Sequence, residues 1–485
     1  MSLTPEQVQI IKATVPVVQE HGTTITTVFY ENMLREHPEL NTVFNTTHQV
    51  TGHQARALAG ALYAYAANID NLDALTSSIK LITHRHASLY IQPDDYKIVG
   101  EYLLAAMKQV LGDACTPDIL NAWTAAYWQL ANILINKEAD LYRQSGDWTD
   151  WREFRIVKKV PESDDITSFY LEPVDGKKPL PTFRPGQYIS VRVYVPGLKY
   201  PQPRQYSLSD MPRSDYYRIS VKKEPALNPA APGAETHPGY VSNVLHDLKN
   251  EGDVIEVSHP FGDFYLSDDD MRHPVVLLSA GVGLTPLLSM LNTLTSRPSH
   301  PERKIHFIHG ARRASARAFK DHVRSLADKH ENLKVTFFAS SPAQHERRGI
   351  DFHRDGRVDL QKLDWKEDLF LDDPRTEFYI CGPAPFMTKM FKYLEERGVD
   401  SSRIKMELFG AGGVPHGVQK GDLSLARDNV KLGRSVLIAA LGAGLGFAIY
   451  RKHAEGKLSW SSSISLWSAA VGAIAVSLLS WPWRS

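Results

Sequence analysis

Five short stretches carry side chains or backbone able to do chemistry. His84 and His86 lie in LITHRHASLYI, an apolar helical stretch just ahead of Pro93. An imidazole there is either structural or an axial ligand, because neutral histidine binds transition metals well. Arg204-Gln205-Tyr206-Ser207 follows Pro185-Gly186-Gln187-Tyr188. An arginine can grip a phosphate with two parallel N–H groups, and Tyr206 offers a flat face beside it. Gly281-Val282-Gly283-Leu284-Thr285-Pro286 joins a buried-strand pattern to a helix pattern. Its missing side chains let backbone N–H groups approach a pyrophosphate at a helix N-terminus. Gly239-Tyr240-Val241-Ser242 opens another candidate helix with the same capacity, and Cys381-Gly382-Pro383 closes the apolar run EFYI.

These residues need elements to hold them. From Pro5 to about residue 143 apolar side chains recur every three or four positions, which predicts an all-α region of six or more helices. Thr4 and Pro5 read as the N-cap and first position of the first helix. Leu58, Leu62 and Tyr65 form one stripe of a helix over 54–67, and further helices are expected over 94–111 and 117–142. The pattern stops at Gln144-Ser145-Gly146-Asp147, after which FRIVKKV, ITSFYLEP, GQYISVRVYV, YRISVKKE and DVIEVSHP alternate as strands do. Beyond about residue 270, VVLLSAG, KIHFIHG, LKVTFFAS and EFYICGP alternate with helical patterns, the signature of a parallel α/β sheet. The multidomain order is therefore all-α (1–146), antiparallel β-barrel (150–268), α/β parallel sheet (269–411) and a tail (412–485). LNPAAPGAETHPG, at 227–239, reads as a surface loop of the β domain.

Composition narrows the function. The 485 residues hold 55 basic and 55 acidic side chains, so no net field draws nucleic acid to the chain. Two cysteines, Cys115 and Cys381, match neither a disulfide scaffold nor a zinc site and fit a reducing compartment.

Within the helical region Phe29, Tyr30, Phe44, Gln54 and His86 follow the layout of a haem pocket. The segments VFYENM, HPELNTVFN, GHQARAL, RHASLYIQPDDYKIVGE and INKEADLY resemble the flavohaemoglobins, in which a globin is fused to a ferredoxin-reductase-like module. The resemblance covers about residues 1–410. It implies His86 as the ligand of a haem b iron and Phe44 as the wedge at the haem corner. Tyr30, Gln54 and Leu58 would line the distal side, and His53, one residue earlier, is the competing distal residue. Tyr96 and Glu138 read as surface residues by spacing alone; the resemblance places them behind His86. A carboxylate there would make the imidazole more basic and push electron density onto iron.

In the reductase part, R-x-Y-S and P-G-Q-Y imply FAD held by Tyr188, Arg204, Gln205, Tyr206, Ser207, Gly239, Val241 and Ser242. NADPH or NADH would bind at Gly281, Val282, Gly283, Leu284, Thr285 and Pro286, with Cys381, Gly382 and Pro383 on the nicotinamide side. Pro286 replaces the usual third glycine, as the reductases have it. Glu407 and Phe409, in KMELFG, would lie between flavin and haem, with Phe409 covering the flavin ring. Arg312-Arg313, after the second α/β strand, either meet a 2′-phosphate or form a solvated loop. The implied activity is nitric oxide dioxygenation, with O2 and NO as small-molecule partners. Hydroperoxide reduction at a membrane and gas sensing are alternative uses of the same cofactors.

The tail departs from the resemblance. Residues 435–450 and 464–483 carry no charged side chain, and Trp467, Trp481 and Trp483 suit a membrane interface. Gly442 and Gly446 would let two helices approach closely. A transmembrane helical hairpin is expected, holding the catalytic domains on the cytosolic or organelle-matrix side. Sequence does not set the oligomeric state.

Overall fold

In the computed structural model the described residues are 2–50, 52–224, 239–267, 272–296 and 303–409. The chain opens with helices α1 (Pro5–Ala13), α2 (Val15–Glu36), α3 (Thr46–Val50), α4 (His53–Ala67), α5 (Thr76–Ala87), α6 (Pro93–Leu111) and α7 (Pro117–Gln144). Thr4 caps α1 as expected: its side chain accepts from the Gln7 N–H, and Gln7 returns the bond to the Thr4 backbone. Two close approaches shape this layer. The Thr26 hydroxyl on α2 donates to the Ala55 carbonyl of α4 at 2.8 Å, so the two helices cross almost backbone to backbone. On α6, a Cβ at Gly100 would lie 2.4 Å from the Tyr127 ring of α7. Only glycine lets α6 and α7 meet at that depth. Ile25, Phe29, Met33, Leu103, Met107 and Trp123 fill the core between them.

Six strands follow: β1 (Arg152–Pro161), β2 (Ile166–Pro173), β3 (Tyr188–Val193), β4 (Gln202–Ser207), β5 (Tyr217–Lys222) and β6 (Val254–Val257). They pair antiparallel in the order β4-β3-β6-β1-β2-β5. A bridge between Leu208 and Ile219 joins the two outer strands, so the sheet curls back on itself around Phe154, Phe169, Ile189 and Ile219. The helix expected after Gly239 opens as one α turn, α8 (Tyr240–Asn243), and continues as a π turn over Val244–Leu248.

The last layer alternates β7 (Val275–Ala280), α9 (Leu284–Ser296), β8 (Ile305–Ala311), α10 (Lys320–Lys329), β9 (Leu333–Ala339), β10 (Arg354–Asp355), β11 (Glu377–Cys381), α11 (Ala384–Glu396) and β12 (Ile404–Glu407). All its strand pairs are parallel, in the order β10-β9-β8-β7-β11-β12. The order reverses between β7 and β11, which is where an open α/β sheet presents its ligand crevice. Both glycine motifs sit at the carboxyl ends of those two strands. A Cβ on Gly283 would lie 2.3 Å from the Cys381 carbonyl oxygen, so the two turns touch.

The uncharged stretches at 435–450 and 464–483, on which the transmembrane expectation rests, lie outside the described residues. Among the described residues no helix is long and apolar enough to cross a membrane.

Candidate functional site

His86 occupies the last turn of α5, where its Nδ1 lies 2.9 Å from Glu138 Oε1 and 2.8 Å from the Tyr96 hydroxyl. Tyr96 itself donates to Glu138 Oε1 at 2.6 Å. Both partners are buried, Glu138 at 2% exposure, so neither is the surface residue that spacing alone suggests. A carboxylate in that position is tolerated because two donors converge on it. Burial together with the adjacent Glu138 charge pushes the Tyr96 phenol upward, so it stays a donor. With Nδ1 engaged, Nε2 is the nitrogen left for iron, and this donor set fits a haem ligand.

On α2, one turn past the Thr26 contact, Tyr30 reaches Gln54 at the start of α4 and hydrogen-bonds with it. Its ring stands edge-on to Phe44, with centroids 5.5 Å apart. Leu58 packs half-buried against the same core, whereas His53 is exposed and neighbours the His48 ring. Gln54, and not His53, is therefore the residue that meets Tyr30. Burial raises the Tyr30 phenol well above its ordinary value.

The β3–β4 ladder sets Tyr188 opposite Ser207 and Val191 opposite Arg204. Tyr188 and Ser207 are buried, and the Tyr188 oxygen makes no hydrogen bond of good geometry, although the Ser88 hydroxyl is close by. Burial lowers Arg204 to about 10, which still leaves it a cation. Its Nη1 bonds only the Pro203 carbonyl, and among the described residues no carboxylate pairs with it. A half-buried cation without an acid and, further along the ladder, a buried phenol without a firm partner fit an anionic, aromatic ligand such as FAD. Tyr206 is half-buried on the same strand and Gln205 is exposed. At Gly239 a Cβ would lie 2.5 Å from both Glu224 Cβ and Ser242 Oγ. The Ser242 hydroxyl donates back to the Gly239 carbonyl, tightening the turn that carries buried Val241.

At the switch point Gly281 adopts φ 57° and leads through Val282 and Gly283 into α9, which begins with buried Leu284, Thr285 and Pro286. Cys381 and Glu407 stand side by side in the β11–β12 register, with Gly382 and Pro383 just beyond. Phe409, two residues past β12, is 42% exposed rather than part of a core. Of the two arginines after β8, Arg313 is tied to Asp164 at 2.9 Å and Arg312 is exposed.

Comparison with known proteins agrees with this layout. The family model described as "Globin" matches residues 27–134, and that described as "Oxidoreductase NAD-binding domain" matches residues 277–392. The flavohemoprotein of Bordetella pertussis is 47% identical over 417 residues, spanning 85% of this chain and all of that protein. The Bacillus subtilis flavohemoprotein is 47% identical over 408 residues, 83% of this chain and 96% of its own length. The chain belongs to the flavohemoprotein family. Among solved structures, the Malassezia yamatoensis flavohemoglobin, with bound FAD and heme, superposes with a TM-score of 0.73 at 32% identity. It covers 84% of this chain and is itself covered completely.

In this flavohemoprotein the residues that sequence reasoning missed lie where the layers meet. His84 Nδ1 accepts from the Gly262 N–H at 3.1 Å, and burial lowers its imidazole to about 4, so it is a neutral acceptor. The Tyr90 hydroxyl accepts from the His259 N–H at 3.0 Å. Gln205 donates to the Ser88 hydroxyl at 3.3 Å, and Ala87, Tyr188 and Phe261 form one small apolar cluster. Ala87 and Ser88, the two residues that follow His86, thus touch strands β3 and β4. Glu407 is buried there and raised to about 8, chiefly by desolvation and also by Asp263, with Arg85 opposing. Arg85 and Asp263 left no sequence signal, because charged residues beside a helix end or a turn are common everywhere.

A carboxyl raised from its ordinary 4.5 to about 8 favours the folded state at low pH. That contribution fades as pH climbs through this window. Urea midpoints of the full chain and of Glu407→Gln, taken from about pH 5 to about pH 9, should diverge across the window, with the unsubstituted chain falling behind before the gap levels off. A gap independent of pH would contradict the buried-carboxyl assignment.

Proposed function

We propose that this chain is an NAD(P)H-dependent nitric oxide dioxygenase, in which electrons pass from NAD(P)H through FAD to haem and nitric oxide leaves as nitrate. One NAD(P)H serves two turnovers: two NO and two O2 give two nitrate ions, NAD(P)+ and a proton. The observation that carries this reading is the bonding of His86 Nδ1 to Glu138 and Tyr96, in a helix whose next two residues touch the flavin strand. Relatives at 47% identity are flavohemoproteins, and the Malassezia flavohemoglobin contains both prosthetic groups.

His86 would hold haem b with Phe44, Tyr30, Gln54 and Leu58 opposite. FAD would lie along Tyr188, Arg204, Gln205, Tyr206 and Ser207, with its phosphates towards Gly239, Val241 and Ser242. NAD(P)H would be taken up at Gly281–Pro286 and Cys381–Pro383. When bound, FAD supplies conversion of a two-electron donor into single electrons, and haem supplies O2 binding and one-electron chemistry at iron.

The chain's own groups do the rest. Glu138 accepts the Nδ1 proton of His86 and so fixes the tautomer that offers Nε2. Tyr96 keeps Glu138 in place by donating to it. Tyr30, kept protonated by burial, can donate a hydrogen bond to a distal ligand, and Gln54 fixes the phenol. Phe44 and Leu58 limit water on the distal side. Glu407 and Cys381, side by side at the strand ends, would lie beneath the nicotinamide and flavin when both are bound.

Replacing His86 with Ala should abolish haem retention and NO consumption, while NAD(P)H-driven reduction of an artificial flavin acceptor such as ferricyanide persists. Full NO consumption by that variant would contradict the ligand assignment.

For the tail we propose a membrane-inserted hairpin, supported by the uncharged runs at 435–450 and 464–483 and the flanking tryptophans. The catalytic layers would then face the side that holds NAD(P)H. The full chain should sediment with membranes and resist carbonate washing, and a chain truncated after residue 411 should not. Recovery of the full chain in the soluble fraction would overturn the hairpin.

A further inference from the structure

The segment between β8 and α10 contains Arg312-Arg313-Ala314-Ser315. Of the adjacent basic pairs in the sequence, only Arg312-Arg313 has a hydroxyl residue two places on, Ser315. Two guanidiniums at that spacing ahead of a serine suit a protein kinase whose substrate groove is lined with carboxylates. Ser88 stands three places after Arg85 but is fully buried, its hydroxyl turned back onto the Arg85 carbonyl. Arg312, Arg313 and Ser315 are all exposed. The turn Ala314–Ala316 that carries Ser315 is flanked by extended backbone at Arg313 (φ −148°, ψ 170°) and Arg317 (φ −97°, ψ 99°). One short turn therefore has to unwind for the segment to lie extended in a groove.

The present bonds of the hydroxyl decide what a phosphate there would do. Ser315 Oγ donates to Asp164 Oδ2 at 2.8 Å. Arg313 reaches the same oxygen, with Nη2 at 2.9 Å and Nε at 3.3 Å. The Asp164 N–H donates in turn to the Ser315 carbonyl at 3.1 Å. Asp164 lies between β1 and β2, so these bonds clasp the β domain to the α/β layer. The converging donors hold its carboxyl below the ordinary range. The Arg313 and Asp164 side chains are 55% and 44% exposed, so their pair is weak and yields to an incoming enzyme.

We propose that Ser315 is a phosphorylation site for an arginine-directed serine kinase, and that its phosphate opens this clasp. In the transfer Ser315 Oγ bonds to the γ-phosphorus of ATP and the bond from that phosphorus to the ADP oxygen breaks. ADP leaves, and the hydroxyl proton passes to the kinase's base. The clasp thereby loses its hydroxyl donor and gains about two negative charges against the Asp164 carboxylate. Arg313 and Arg312, two and three residues away, pair with the phosphate instead, because a charge-assisted bond to phosphate outweighs an exposed carboxylate pair. The layers stay joined elsewhere, where Asp210 accepts from Ser289 and Asn292 of α9 at 2.6 Å and 2.8 Å. One edge loosens and the chain stays folded. On the proposed reductase reading the two layers carry FAD and NAD(P)H, so a loosened edge slows hydride transfer between them.

The test uses the flavin- and haem-loaded full chain with ATP and the catalytic subunit of the cyclic-AMP-dependent protein kinase. Mass spectrometry should place phosphate on Ser315, and Arg312→Ala should be phosphorylated there about tenfold or more slowly, as expected for a lost charge-assisted contact. Hydrogen exchange over residues 162–165 should then quicken by about tenfold or more, while kinase treatment of Ser315→Ala leaves it unchanged. Stopped-flow reduction of the flavin by NAD(P)H should slow by about threefold or more in the phosphorylated chain. No phosphate on Ser315, or a phosphorylated chain with unchanged exchange and unchanged flavin reduction, would overturn the proposal. An untreated chain whose bound flavin NAD(P)H does not reduce would overturn the reductase reading and leave the phosphorylation site standing.

Discussion

Nδ1 of His86 is the atom on which the arrangement turns. Glu138 and Tyr96 both sit within hydrogen-bond distance of it, and they reach it only because α6 and α7 pack tightly enough to bury a carboxylate between them. Gly100 makes that approach possible, since any side chain there would strike Tyr127. A buried carboxylate costs free energy unless donors surround it, so the fold supplies two and fixes the imidazole at the same time. The helical layer thus holds one oriented nitrogen on a stiff frame.

That frame also carries the junction with the next layer. The helix ending in His86 runs straight into the contacts that join the helical layer to the β-barrel: Ala87 against Tyr188, Ser88 with Gln205, Tyr90 with His259, and His84 with Gly262. The β11–β12 register sets Glu407 beside Cys381 at the carboxyl ends of those strands. Three layers therefore converge within a few residues of one helix end.

Much of this was legible in the sequence, for identifiable reasons. Helices α4 to α7 announce themselves by their apolar period, by Pro93 and Pro117 at their starts, and by a core that needs one wide stripe from each. The strands around β7 and β11 are buried on both faces and read as unbroken apolar runs. Other elements gave weaker signals. β12 is four residues long with charged Lys405 and Glu407 in it, and only its parallel neighbour β11 makes it a strand. The helix after Gly239 changes from one α turn to a π turn over Val244–Leu248, a winding that local pattern does not specify. The distal pair needed tertiary structure as well, because His53 and Gln54 differ by one register step and only the α2–α4 crossing shows which meets Tyr30. Junction residues such as Arg85 and Asp263 were invisible, since their roles depend on an interface between layers distant in sequence.

The central claim is that Glu138 polarises the proximal imidazole. Resonance Raman spectroscopy of the ferrous, five-coordinate protein reads the iron–histidine stretching mode directly. The account predicts a distinctly lower frequency in Glu138→Gln than in the unsubstituted chain, because a neutral amide withdraws less of the Nδ1 proton. An identical frequency in the two proteins would contradict it.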